Sequence, residues 1–193
     1  MRQAIAAWLL SVVALSGPGA SSHADVLADQ FVDMSAWSAN RIAAYRKRVP
    51  LEQKPEAVLR IPSVGLVVPV FAGTSTAILD QAAGHIEGTS PFGASGNTGI
   101  AAHRDGFFRV LRKVRVGDVL HVDLPKATLT YKVVSTRVVD PSETSVLRPT
   151  TEPTITLVTC YPFYFVGPAP QRFIVRATTA PKASEIRLSR ARD

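Results

Sequence analysis

The chain has 193 residues, of which 46% are hydrophobic and 19% charged, and its formal net charge is +7. That length supports one domain with a sizeable core and is short for two, and the composition excludes a disordered chain. The basic balance favours anionic partners. Its densest runs, Tyr45–Arg48, Arg112–Arg115 and Arg187–Arg192, carry no arginine–aromatic stripe and no nucleic-acid motif, so nucleic acid is not an expected partner.

The first 24 residues have the pattern of an export signal. Arg2 supplies a positive start, Ala4–Leu15 an apolar stretch, and Ser16–Ala24 a helix-breaking segment ending in small residues. The apolar stretch is short of the roughly 20 residues of a comfortable membrane span. Residues 1–24 are therefore expected to be a signal peptide or an N-terminal membrane anchor, with membrane association possible through that end. Export places the rest of the chain in an oxidising or envelope compartment, where a single cysteine, Cys160, has no internal disulfide partner.

Residues 25–56 are expected to form an amphipathic helix and a linker. Within Ala28–Arg48, Phe31, Met34, Trp37, Ile42 and Tyr45 fall near helical spacing, and Val49-Pro50 ends the run. From Ala57 the chain becomes rich in β-branched residues and is punctuated by Gly, Pro and Asp. Ala57–Phe71 predicts two strands hinged at Pro62 and Gly65, and Thr74–Gly84 a short helical turn. His85–Gly99 predicts a glycine-rich loop leading into a brief strand, Ile100–His103. A turn or two of helix follows, with Phe107, Val110 and Leu111 facing inward.

Val119–Leu124 and Ala127–Asp140 predict paired strands, and Thr154–Cys160 a central one. The loop Tyr161–Gln171 leads to a last strand, Arg172–Thr179. Short strands at this spacing with little helix between them predict a mostly β fold, a closed barrel of about eight strands spanning residues 57–180. Residues 181–193 are expected to be a basic tail.

No CxxC, HExxH or other metal-ligand spacing occurs among Cys160, His23, His85, His103 and His121, and no phosphate-binding glycine motif occurs. No metal and no cofactor are expected. What remains is nucleophilic chemistry. Cys160 ends a strand, where alternation puts it on the face opposite Ile155, Leu157 and Thr159. A thiol there either fills the core or, beside a base, serves as a nucleophile. His103 ends the apolar strand before the charged pair Arg104-Asp105, and a histidine so placed suits proton transfer. Arg172 opens the strand after the cysteine loop. If that strand neighbours the cysteine strand, its planar cation suits a carbonyl or oxyanion.

Taken together these segments resemble the sortases, thiol transpeptidases of bacterial cell envelopes. Thr156–Cys160 (TLVTC) resembles the family's cysteine signature, Gly96–Phe108 its histidine segment and Ala169–Ala177 its arginine strand. The resemblance runs from about Leu59 to Ala177 and is greatest to class D. Ala102 departs from it, since many members have glycine directly before the histidine. The resemblance implies a sortase-type barrel in which Cys160 attacks a sorting-motif carbonyl, His103 shuttles the amine's proton and Arg172 holds the substrate oxygen. Asp105 and Thr159 flank these positions in supporting roles, and His85 is a candidate groove residue. The implied partners are exported proteins with a C-terminal sorting motif, LPxTG-like by family default, and an amine acceptor, with the enzyme in the cell envelope. A cysteine peptidase that uses water, and a non-catalytic basic barrel with Cys160 buried, are the alternatives.

Overall fold

Residues 32–164 and 167–179 are described by the computed structural model. The expected signal, residues 28–31 of the expected helix and the C-terminal tail lie outside them. Where the sequence alternates β-branched residues between turn formers, it builds strands. There are eight: β1 (Ala57–Ile61), β2 (Leu66–Ala72), β3 (Ala83–His85), β4 (Asn97–Ala101), β5 (Val119–Leu124), β6 (Ala127–Val139), β7 (Thr154–Tyr161) and β8 (Gln171–Thr179). They close into a barrel in the order β1-β2-β3-β4-β7-β8-β6-β5. The β1–β5 pairing returns the sheet to its start. Closure leaves no sheet edge to blunt.

Two pairings, β2–β3 and β4–β7, are parallel. A parallel pair needs a long crossover, and here the chain from β4 to β7 includes β5 and β6. The barrel interior is filled by Leu59, Ile61, Val68, Val70, Ile100, Leu120, Val122, Ile155, Leu157 and Val175, all with no accessible surface. Phe108 and Leu111 join that core from a 3-10 segment, Phe107–Lys113.

Three local expectations change. The helix α1 covers only Ala39–Arg46, because the Ser38 side chain accepts the Arg41 N–H and caps it there. Trp37, spaced as a helix residue, is buried just ahead of it. The second helix, α2 (Thr76–Leu79), stops before Gly84, which lies inside β3. A Cβ at Gly84 would stand 2.2 Å from the Gly73 carbonyl oxygen, so this close backbone approach requires glycine. Strand β4 ends at Ala101, which leaves His103 beyond it in a turn. Among the described residues no helix is long and apolar enough to cross a membrane.

Candidate active site

The end of β7 that carries Cys160 lies between β4 and β8. Cys160 is a free, half-buried thiol. Ile155 and Leu157 point into the core, so alternation turns Cys160 to the outer face. Its direct antiparallel partner on β8 is Arg172. Directly opposed residues project from the same face of a sheet, so the Cys160 and Arg172 side chains leave β7 and β8 side by side. Arg172 Nη1 donates to the Gln171 carbonyl at 3.0 Å and to that of Ala169 at 3.3 Å. A guanidinium has five N–H donors, so Nε and Nη2 remain to meet a substrate.

On the other flank, β4 runs parallel to β7 with Ala101 opposite Val158. Two residues further along both strands come His103 and Cys160. The ladder continues past Ala101, since the Ala102 N–H donates to the Val158 carbonyl at 3.4 Å. The buried Thr159 hydroxyl then donates to the Ala102 carbonyl at 2.8 Å. Thr159 thus ties the cysteine strand to the residue that delivers the histidine. The turn itself is fixed from below. The His103 carbonyl accepts from the Gly106 and Phe108 N–H groups, both at 3.3 Å, and Phe107 and Phe108 are buried in the core.

The imidazole of His103 is about one third exposed and has Asp80 Oδ1 3.5 Å from its Nε2. Its pKa lies below the ordinary histidine value. Burial is the largest cause, and the Arg41 cation adds to it against the opposing pull of Asp105 and Asp80. At neutral pH the ring is therefore mainly uncharged, able to take a proton or, once protonated, to give it up readily. The loop between β7 and β8 is tethered back to the histidine segment. Arg104 Nη2 donates to the Gly167 carbonyl at 2.8 Å, Arg112 Nη1 donates to the Tyr164 hydroxyl, and Arg109 stands over the Tyr164 ring at 4.6 Å.

Of the six residues singled out from sequence, Cys160 and Arg172 face each other on β7 and β8, His103 lies two residues past the end of the adjacent β4, and Thr159 bridges β7 to Ala102. Asp105 sits one turn away and is engaged by Arg41 at 3.3 Å and by the Ser38 hydroxyl at 3.2 Å. His85 is occupied elsewhere: Nδ1 meets Glu56 at 2.9 Å, Nε2 meets the Ser90 carbonyl at 3.2 Å, and the ring packs on Phe92. Sequence reasoning missed Arg41 and Asp80. No local signal marks them, because both look like ordinary surface charges until the fold brings them to His103. Among the described residues no group of three or more His, Cys, Asp and Glu side chains is arranged to hold a metal ion.

Residues 59–180 match the family model of the sortase domain. Over 128 residues the chain is 34% identical to Sortase D of Bacillus subtilis, covering 63% of this chain and 65% of that protein. Over 106 residues it is 34% identical to Sortase A of Listeria monocytogenes, covering 53% of this chain and 47% of that one. The chain thus spans less than two thirds of the length of either curated relative. Among solved structures, the Clostridium perfringens Sortase D5 transpeptidase superposes with a TM-score of 0.62 at 25% identity, over 83% of this chain and all of that one. The family model covers most of the barrel, from β1 to the end of β8, and on that match the chain belongs to the sortase family.

Proposed function

We propose that this chain is a cysteine transpeptidase that cleaves a C-terminal sorting motif and passes the acyl group to an amine. The observation that carries this reading is the register that sets Cys160 opposite Arg172, with His103 two residues past the end of the neighbouring β4. In the first step His103 takes the proton of the Cys160 thiol, and the resulting thiolate attacks the scissile carbonyl carbon. Arg172 donates to the resulting oxyanion, where a fixed cation has most effect. The tetrahedral species collapses to a thioester, and His103, protonated at this stage, gives its proton to the departing amine. An incoming amine then attacks the thioester, His103 takes its proton, and the Cys160 thiolate leaves. Splitting the transfer through a covalent intermediate lets a second nucleophile enter the same site.

The substrates on this reading are exported proteins bearing an LPxTG-like motif, and the acceptor is an amine of the envelope or of another protein. Residues 1–24 would direct export or anchor the chain there, residues 25–56 would link that end to the barrel, residues 57–180 would form the catalytic domain, and residues 181–193 would trail it. The class-D resemblance and the Sortase D match support the sortase-type reading of the barrel.

Intact-mass spectrometry of the protein with an LPxTG-like peptide, with and without an added amine, tests the reading. The expected result is an acyl adduct on Cys160 and an amide product when amine is present, both absent in Cys160→Ala. Cleaved acid alone in the presence of amine would establish a peptidase instead, and an unmodified Cys160 under all conditions a binding module.

A further inference from the structure

Three segments far apart in sequence converge beside His103. Arg41, in α1, places Nη1 2.6 Å from Asp80 Oδ1 and Nε 3.3 Å from Asp105 Oδ1. Asp80 caps the end of α2, and the same Oδ1 stands 3.5 Å from His103 Nε2. Ser38, the cap of α1, holds Asp105 from the other side, with its hydroxyl 3.2 Å from Oδ2 and its N–H 3.3 Å from the Asp105 carbonyl. The Arg41 side chain is only 16% exposed, so it acts as a fixed charge rather than a solvated one. No step of the proposed reaction uses Arg41 or Asp80.

We propose that Asp80 is a positioning residue for His103, facing Nε2 so that Nδ1 is left for the thiol and the leaving amine, and that Arg41 holds Asp80 there and lets α1 tune the imidazole from outside the barrel. The role given to Nδ1 rests on the function proposed above. At 3.5 Å the Asp80 contact is long for a hydrogen bond, so it orients the ring mainly through charge. The groups facing the ring are Asp80 at the end of α2, Arg41 on α1 and Asp105 on its own turn, with Cys160 and Arg172 across the strand ends. An anion at Asp80 favours the protonated ring and a cation at Arg41 disfavours it. The two therefore act on His103 in opposite directions, although they are bound to each other.

That opposition gives the test a sign. His103 is titrated by NMR of its ring protons in the wild-type chain, Asp80→Asn and Arg41→Gln, with His103→Gln assigning the signal. The expected result is a fall in the His103 pKa in Asp80→Asn and a rise in Arg41→Gln. In the sorting-peptide assay Asp80→Asn is expected to lower kcat about tenfold with KM little changed, since a misdirected proton donor affects the transition state rather than binding. Asp80→Glu is expected to restore most of it. A His103 titration that stays put in both variants, or moves the same way in both, overturns the proposal. So does a kcat loss matched by the fall in thermal stability and not rescued by glutamate. The titration needs no substrate, so a chain that never acylates Cys160 overturns the function alone and leaves the coupling to be decided by NMR.

Discussion

Arg172 holds a permanent charge opposite the thiol, but charge is only part of what the position asks for. Its Nη1 is spent on the carbonyls of Ala169 and Gln171, which fix the guanidinium plane and direct the remaining donors. Lysine would keep the charge and lose both the planar fork and this self-anchoring. Arg172→Lys is therefore expected to lower kcat/KM for a sorting peptide by about 100-fold, the scale of one lost oxyanion donor. Single-turnover acylation of Cys160 measures it, and a variant within a few fold of wild type would remove Arg172 from the oxyanion role. Cys160, His103 and Arg172, the residues proposed to carry the reaction, could be singled out as candidates from the sequence. Each sits inside a segment whose residue order resembles a family pattern, and each lies at or just past a strand end. Asp80 and Arg41 could not. Their contact spans 39 positions, and charge alternation on a short helix looks the same whether or not it has a distant partner.

Among the elements, the seam between β1 and β5 shows how the barrel is closed by side chains as well as by its ladder. Arg60 on β1 binds Asp123 on β5 through two bonds of 2.5 and 2.9 Å, and Thr128 on β6 donates to the same carboxylate at 2.7 Å. Chiefly through the Arg60 bond, the Asp123 pKa is pulled from the ordinary carboxylate value down to about 2. A depressed folded-state pKa means that the unfolded chain binds the proton more readily, so the contribution to stability exists above about pH 4 and fades towards pH 2. Asp123→Asn should therefore melt below wild type at neutral pH by about 0.5 kcal/mol, after allowing for solvent screening of so exposed a pair. The two melting curves should converge near pH 2, and a gap that persists there would assign the loss to packing. Most strands were legible because glycine, proline and aspartate punctuate them. Strand β3 was not, since three residues with glycine at the centre carry no alternation, and the strand exists through its pairing with β2 and β4.

At the scale of the whole molecule, the N-terminal segment is bound to the barrel at two levels. The salt-bridge level is Arg41 with Asp80 and Asp105. The apolar level is a triad in which Trp37 meets Phe107 at 4.7 Å and Tyr45 at 5.3 Å, both edge-on, while Tyr45 also meets Phe107 at 5.9 Å. Phe107 opens the segment that follows the histidine turn, so the triad and the salt bridges both act on that turn. The helix predicted over Ala28–Arg48 was too long because a run of apolar residues at helical spacing also describes a buried indole followed by a capped short helix. Trp37 is 9% exposed. Truncating such a residue costs the transfer of its ring and leaves a cavity, about 3 kcal/mol or more. Trp37→Ala is therefore expected to lower the unfolding free energy by about that amount in denaturant titration. It should also loosen α1, so that His103 becomes more hydrated and its pKa rises towards the ordinary value as the burial penalty and the Arg41 cation both weaken. Stability loss with an unmoved His103 titration would show that the aromatic triad only packs the segment in place. Loss of both together would make the N-terminal segment part of the device that sets the acidity of the proposed proton shuttle.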